Sequence, residues 1–218
     1  MISQTKYPIS MEIEGRTAMF ANPAAGSDGC SYPAPTKSAV KGIFEQVFFC
    51  PFVRVVPTRV EICKPVKTMF ASFSSHSSSR KHELVKKDNA CIIRETVLFD
   101  VCYKMYGYVQ NLDPKNVVGH ASEKAMAFER QYTNHAHSYA CQFERRLRRG
   151  QCFRIPVLGR SECICDWFGP LRDSTKPYPV HVAIPSMLIE CFSEEVHGSR
   201  VEPKFADVQI TEGVLEYV

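Results

Sequence analysis

The hydrophobic period of this chain changes from two to 3.6 and back again, and that change limits the available folds more than any other feature. Ile9, Met11 and Ile13 alternate with Ser10, Glu12 and Glu14, the pattern of a half-buried strand, and Thr17–Phe20 continues it past Gly15. Residues 21–35, rich in Gly, Pro, Ala and Ser, form a loop. Thr36 then caps a helix whose Val40, Ile43, Phe44, Val47 and Phe48 share one face, and Pro51 stops it. Strand patterns return over 53–66, with a break at Pro57, and over 91–111. A second helical stretch covers 121–149 in two pieces joined near Thr133–Asn134, the second striped by Ala136, Ala140, Phe143 and Leu147. It ends in Arg145-Arg146-Leu147-Arg148-Arg149 before Gly150, with cations at the negative end of the helix dipole and Glu144 placed to pair with Arg148. Between the strand patterns, residues 68–89 carry a serine cluster followed by Arg80, Lys81, Lys86 and Lys87, which predicts a mobile, positively charged loop.

The order β-α-β-β-α with a closing strand after Gly150 predicts an α+β fold. Its core is a ferredoxin-like (RRM-type) β-α-β-β-α-β arrangement over residues 1–155, and a small antiparallel β-rich part follows over 156–218. That superfold serves many functions, so function has to come from particular side chains. With 44% hydrophobic residues the chain can bury a core. Its net charge of +4 does not by itself call for a nucleic acid, so the clustering of the cations decides. Several of the ten cysteines sit inside apolar stretches (Cys63, Cys91, Cys102, Cys141, Cys191), as free thiols of a reducing cytoplasm do. Met1–Ile13 has no apolar run of a secretory signal, and no stretch approaches the ~20 apolar residues of a membrane helix. Cys163-x-Cys165 lacks the paired spacing of a zinc site, and Gly26–Gly29 lacks the Lys-Ser/Thr of a phosphate loop. The expectation is a cytoplasmic protein with no metal, no small-molecule cofactor and no membrane association.

Three segments resemble one family, in order and at suitable distances. Met11-Glu12-Ile13-Glu14-Gly15 with Ala18-Met19-Phe20 is similar to the first strand of the fifth family of CRISPR-associated (Cas) proteins in its subtype I-C form. Ser31-Tyr32 followed by Pro35-Thr36-Lys37-Ser38-Ala39-Val40-Lys41-Gly42-Ile43-Phe44-Glu45 is similar to that family's first helix. Phe143-Glu144-Arg145-Arg146-Leu147, Gly150-Gln151-Cys152-Phe153 and Pro156-Val157-Leu158-Gly159-Arg160-Ser161-Glu162-Cys163 resemble its most specific signature. The resemblance covers most of residues 8–165. It implies a prokaryotic protein that binds the repeat hairpin and 5′ handle of CRISPR RNA and cuts the precursor transcript without metal. It further implies association with the backbone and large subunits of the surveillance complex (Cascade). The alternative within the family is a catalytically silent subunit that only grips the handle.

Metal-free cleavage needs the ribose 2′-OH to attack the adjacent phosphate, with a base for its proton, an acid for the leaving 5′-oxygen and a cation for the phosphorane. The resemblance places the family's Tyr on Phe48 and its Lys-His pair on Ser138 and Tyr139, so none of the three is retained. The side chains nearest those positions that can move a proton are His137, Tyr139 and His135, which become the catalytic candidates. For RNA contacts the resemblance favours Arg145, Arg146 and Arg149, with Lys37 and Lys41 from the first helix and Arg80 and Lys81 from the serine-rich loop, while Tyr32 and Phe20 either stack on bases or pack in the core.

Overall fold

The computed structural model describes residues 5–25, 29–76, 90–112, 134–192 and 199–217. Strand β1 (Tyr7–Ala18) enters the middle of a large sheet, and after a two-residue strand β2 (Gly29–Cys30) the chain turns into helix α1 (Lys37–Val47). Strands β3 (Val53–Ile62), β4 (Lys67–His76) and β5 (Ala90–Asn111) follow, then helix α2 (His135–Arg148). The remainder supplies β6 (Trp167–Gly169), β7 (Val182–Phe192), β8 (Arg200–Ile210) and β9 (Val214–Glu216). The sheet runs β6-β1-β5-β3-β9 with antiparallel neighbours, while β2 and β4 pair with β5 off that path. β7 and β8 form a separate two-stranded sheet. The architecture is thus an antiparallel sheet carrying two helices.

Both helices form where the 3.6 period predicts them. Thr36 caps α1 by accepting the Ala39 amide at 3.2 Å, and Val40, Ile43, Phe44 and Val47 are buried. Phe48 leaves the helix as its C-cap in an extended conformation. In α2 the buried stripe is Ala136, Tyr139, Phe143 and Leu147, so the larger Tyr139 faces the core in place of Ala140. The edge-to-face contact of Phe44 with Phe143, 5.6 Å between centroids, joins the helices.

The predicted loop over 68–89 is corrected for its first part. Residues 67–76 form β4, hydrogen-bonded along residues 90–99 of β5, and ladder pairing there outweighs the loop preference of serine. Arg80, Lys81, Lys86, Lys87 and the helical piece expected over 121–133 lie outside the described residues. β5 changes partners near Asp100, which adopts φ 54° and is held by Lys64 at 2.7 Å and Lys67 at 3.6 Å. The break expected at Pro57 is a register shift against β5 between Pro57 and Arg59.

The sheet face opposite the apolar one is also covered, which alternation along β1 did not predict. Glu12 pairs in register with Lys104 of β5, and a strap of residues 170–176 crosses them. Arg172 donates to the Glu12 carboxylate from its side chain at 2.5 and 2.9 Å and from its backbone amide at 2.8 Å. The guanidinium also pairs with Glu14 and stacks 4.1 Å over the Trp167 ring. Lys104 donates to the Arg172 and Thr175 carbonyls at 2.8 and 2.6 Å. Three ligand atoms of Glu12, Glu14 and Cys102 lie within 4.8 Å of one another, and Arg172 occupies both carboxylates.

The Leu158–Arg160 signature is a second latch. Met19 donates to the Leu158 carbonyl at 2.9 Å, and Gly159 adopts φ 93° against the Met19 backbone, where a Cβ has no room. Arg160 pairs with the buried Glu95 of β5. The described cysteines are free, and no helix among the described residues is long and apolar enough to cross a membrane.

Candidate nucleic-acid interface

The start of α2 is built by two asparagines. Asn134 accepts the His137 amide at 3.1 Å as N-cap, Asn111 at the end of β5 accepts the Ala136 amide at 2.8 Å, and the two side chains meet at 3.3 Å. Asn134 also donates to the Tyr7 hydroxyl at 2.7 Å. These bonds fix the first turn and therefore the direction of His137. Its exposed ring lies edge-on to Tyr7, 5.3 Å between centroids, with Nε2 3.8 Å from the Cys141 sulfur. His137, Tyr7, Cys141 and Glu144 line one side of an open groove whose other side carries Arg59 and Tyr106. The Arg59 guanidinium stacks 4.2 Å over Tyr106 and pairs with Glu61 at 3.1 Å, so the groove holds one imidazole, two phenols and two guanidinium groups, the second being Arg148 paired with Glu144. Asn134 was legible as a polar residue before an apolar stripe. Tyr7, Asn111, Arg59 and Tyr106 had no local signal, because strand register alone brings them together.

The other two catalytic candidates do not line that groove. His135 packs on the Phe52 ring at 5.3 Å. Tyr139 is buried, its hydroxyl donates to the Phe48 carbonyl at 2.5 Å, and burial pushes its pKa well above the usual phenol value. Such a hydroxyl keeps its proton. Phe48 lies 4.9 Å from Tyr139, and Arg146 stacks 4.6 Å over the Phe48 ring while donating to the Val47 carbonyl at 3.3 Å. This cluster fixes where α1 ends against α2. Tyr139→Phe is expected to lower stability by about 1 kcal/mol, the worth of one hydrogen bond, as read by urea unfolding.

The predicted RNA contacts separate in space. Arg145 and Arg149 are exposed at the end of α2, and Arg148 pairs with Glu144 as the spacing predicted. Lys37 and Lys41 line a different cleft, between α1, β3 and β7, with Arg54 and Glu190. Burial holds the Lys37 ammonium below its usual pKa, and Lys41 pairs with Glu45 at 3.7 Å. Tyr32, expected on a base, is corrected: it is buried, donating to the Ser186 carbonyl at 3.0 Å and accepting the Leu188 amide at 3.2 Å. Phe20 is likewise buried, edge-on to Tyr103 at 5.9 Å.

The chain is thus an antiparallel sheet carrying two helices, with an open groove beside His137. No protein-family model matches the chain. It is 28% identical over 156 residues to the CRISPR pre-crRNA endoribonuclease Cas5d of Thermus thermophilus, a stretch covering 71% of this chain and 60% of that protein. The fold is shared with a crystal structure of a CRISPR-associated protein, at TM-score 0.69 and 17% identity over 99% of this chain and 94% of the other. It is shared equally with a functionally uncharacterized protein of Streptococcus mutans, at TM-score 0.68 and 17% identity over 99% and 95% of the two chains.

Proposed function

We propose that this chain is a CRISPR RNA-handling protein of the fifth Cas family in its subtype I-C form, binding the repeat hairpin and 5′ handle and cutting precursor CRISPR RNA without metal. The similarity to Cas5d supports the substrate, and the strand order β6-β1-β5-β3 with α1 and α2 between strands supports a ferredoxin-like core, closed by β6 beyond the boundary expected at residue 155. The observation that carries the reading is His137, an imidazole held by its helix cap at the open end of α2, beside a groove with Arg59. In this mechanism His137 takes the proton of the ribose 2′-OH at the cut site. The 2′-oxygen attacks the neighbouring phosphorus, the P–O5′ bond breaks, and the leaving 5′-oxygen takes a proton relayed through solvent from the His137 imidazolium, giving a 2′,3′-cyclic phosphate and a 5′-OH. Arg59 is placed to stabilise the phosphorane charge. His135 stands as a second imidazole at the same helix end, while Tyr139, its hydroxyl held by the Phe48 carbonyl, contributes packing rather than proton transfer. Lys37, Lys41, Arg145 and Arg149 hold backbone phosphates, as do Arg80 and Lys81. The RNA-bound protein then joins the backbone and large subunits of the surveillance complex in the prokaryotic cytoplasm.

The test is incubation of the purified protein with a panel of CRISPR-repeat hairpin RNAs in EDTA. A single cut leaving a cyclic phosphate supports the nuclease. Tight binding without a cut makes the chain a silent subunit, and no binding to any repeat removes the RNA reading. Arg145→Ala with Arg149→Ala is expected to weaken binding and to flatten the slope of log affinity against log salt by about 1 to 2, one phosphate contact per arginine. Arg146 is left intact because it holds Val47 and Phe48.

A further inference from the structure

Beyond the end of α2 the chain presents a surface that the cleavage mechanism does not use. Gly150 (φ 61°) turns the chain back, and Phe153 donates its amide to the Val47 carbonyl at 3.0 Å, the same oxygen that Arg146 contacts. Arg154 follows with a bond to the Gln46 carbonyl at 2.9 Å, so the segment is tied to the end of α1. This fixed backbone holds the Phe153 ring outward, 69% exposed, beside Phe49, 41% exposed, with 6.5 Å between centroids and 31° between planes. Ile155 next to them is 59% exposed. A single exposed apolar side chain is ordinary, but a paired aromatic surface on rigid backbone is not. Its flanks are cationic: Arg154 adjoins Phe153 in sequence, and Arg145 and Arg149 end the helix that leads into it, all three exposed.

Exposed planar rings near arginines fit a strand whose flat bases are unstacked and whose backbone is anionic. We infer that Phe49 and Phe153 form a stacking platform for unpaired nucleotides of a single-stranded RNA segment, with Arg145, Arg149 and Arg154 on its phosphates. The inference rests on the RNA-handling reading and adds a specificity to it. The platform is tied to the level of Arg146 on α2, about 14 Å along the helix from His137 at about 1.5 Å per residue, so it takes nucleotides away from the cut.

The experiment uses a repeat hairpin RNA with a single-stranded tail containing 2-aminopurine, and a 2′-deoxy sugar at the cut site to block cleavage. Wild-type protein is expected to change the fluorophore's stacking signal on binding. Phe153→Ala and Phe153→Leu are each expected to lower affinity for the tailed RNA about tenfold, the loss of one base stack, with no change in salt slope. Phe153→Trp is expected to retain affinity, and all three variants to unfold at the wild-type temperature because the ring is mostly exposed. The tailless hairpin is expected to bind all proteins alike. Wild-type affinity in Phe153→Leu, or the same loss on the tailless hairpin, overturns the platform while leaving RNA handling intact. Failure of the wild type to bind either RNA overturns both. A normal RNA affinity in every Phe153 variant, together with loss of assembly with a protein subunit, assigns the surface to a protein partner instead.

Discussion

His137→Ala is expected to slow cleavage of a repeat hairpin by roughly 100- to 10,000-fold, the range of general acid–base catalysis, with RNA affinity unchanged. The separation of rate from affinity follows from the structure. The His137 ring is exposed and rests against Tyr7 and Cys141, so removing it leaves the helix cap from Asn134 to the His137 backbone amide in place. The measurement is single-turnover cleavage in EDTA at saturating protein, with affinity read by anisotropy on the 2′-deoxy substrate. Tyr139→Phe serves as the contrast, because its hydroxyl is committed to the Phe48 carbonyl. It is expected to cut at the wild-type rate at 25 °C. A wild-type rate in His137→Ala moves the base to another group, and equal losses in both variants point to a disturbed helix rather than lost chemistry.

Arg172→Ala is expected to have the largest effect on stability, about 3 kcal/mol, corresponding to a fall of roughly 8 °C in the unfolding midpoint. Glu12 is fully buried in the sheet, while the Arg172 side chain keeps 36% of its surface, so the cost comes chiefly from a carboxylate left without its counter-charge. The low end of the range for broken buried pairs applies because water reaches the arginine. Burial alone pushes the Glu12 carboxyl up, but the bonds from the Arg172 side chain and backbone, the Thr175 bond and the Arg172 charge outweigh it, and the group sits below its ordinary value. A carboxyl depressed in the folded state stabilises the fold above its unfolded value of about 4.3. That stabilisation is lost as pH falls through the lower folded value. The gap between wild type and Arg172→Ala is therefore expected to narrow as pH falls, first above about 4.3 as the unpaired Glu12 of the variant takes up its proton and then through the lower wild-type value, as followed by circular dichroism in urea at several pH values. A gap independent of pH excludes Glu12 as the source.

Local features of this fold were legible and non-local ones were not. The α1 stripe, the Thr36 cap and the Glu144–Arg148 pair depend only on residues a turn apart, so period and spacing reveal them. Glu12 looked like the solvent side of a strand because alternation describes one face and is silent about what covers the other. Its partner Arg172 lies 160 residues away. Serine content disguised β4 because a strand paired to β5 takes its stability from the ladder rather than from its own propensities. Tyr32 looked like a stacking aromatic by family position, whereas its hydroxyl meets the backbone of β7, 154 residues on. The candidate site shows the same division. His137 and the arginines of α2 were readable from one helix, while Tyr7, Arg59 and Tyr106 enter the groove through strand register.

Both ends of the large sheet come from late in the chain: β6 pairs with β1 at one edge and β9 with β3 at the other. During synthesis β1, β3 and β5 are therefore complete while both flanks still offer unpaired backbone groups, the condition that invites pairing with other chains. Closure at β3 waits for residues 214–216, and the half-buried Tyr217 just beyond fastens it through a 2.7 Å bond to the Pro35 carbonyl ahead of α1. The nascent protein thus has a vulnerable interval that ends only after Tyr217 has left the ribosome.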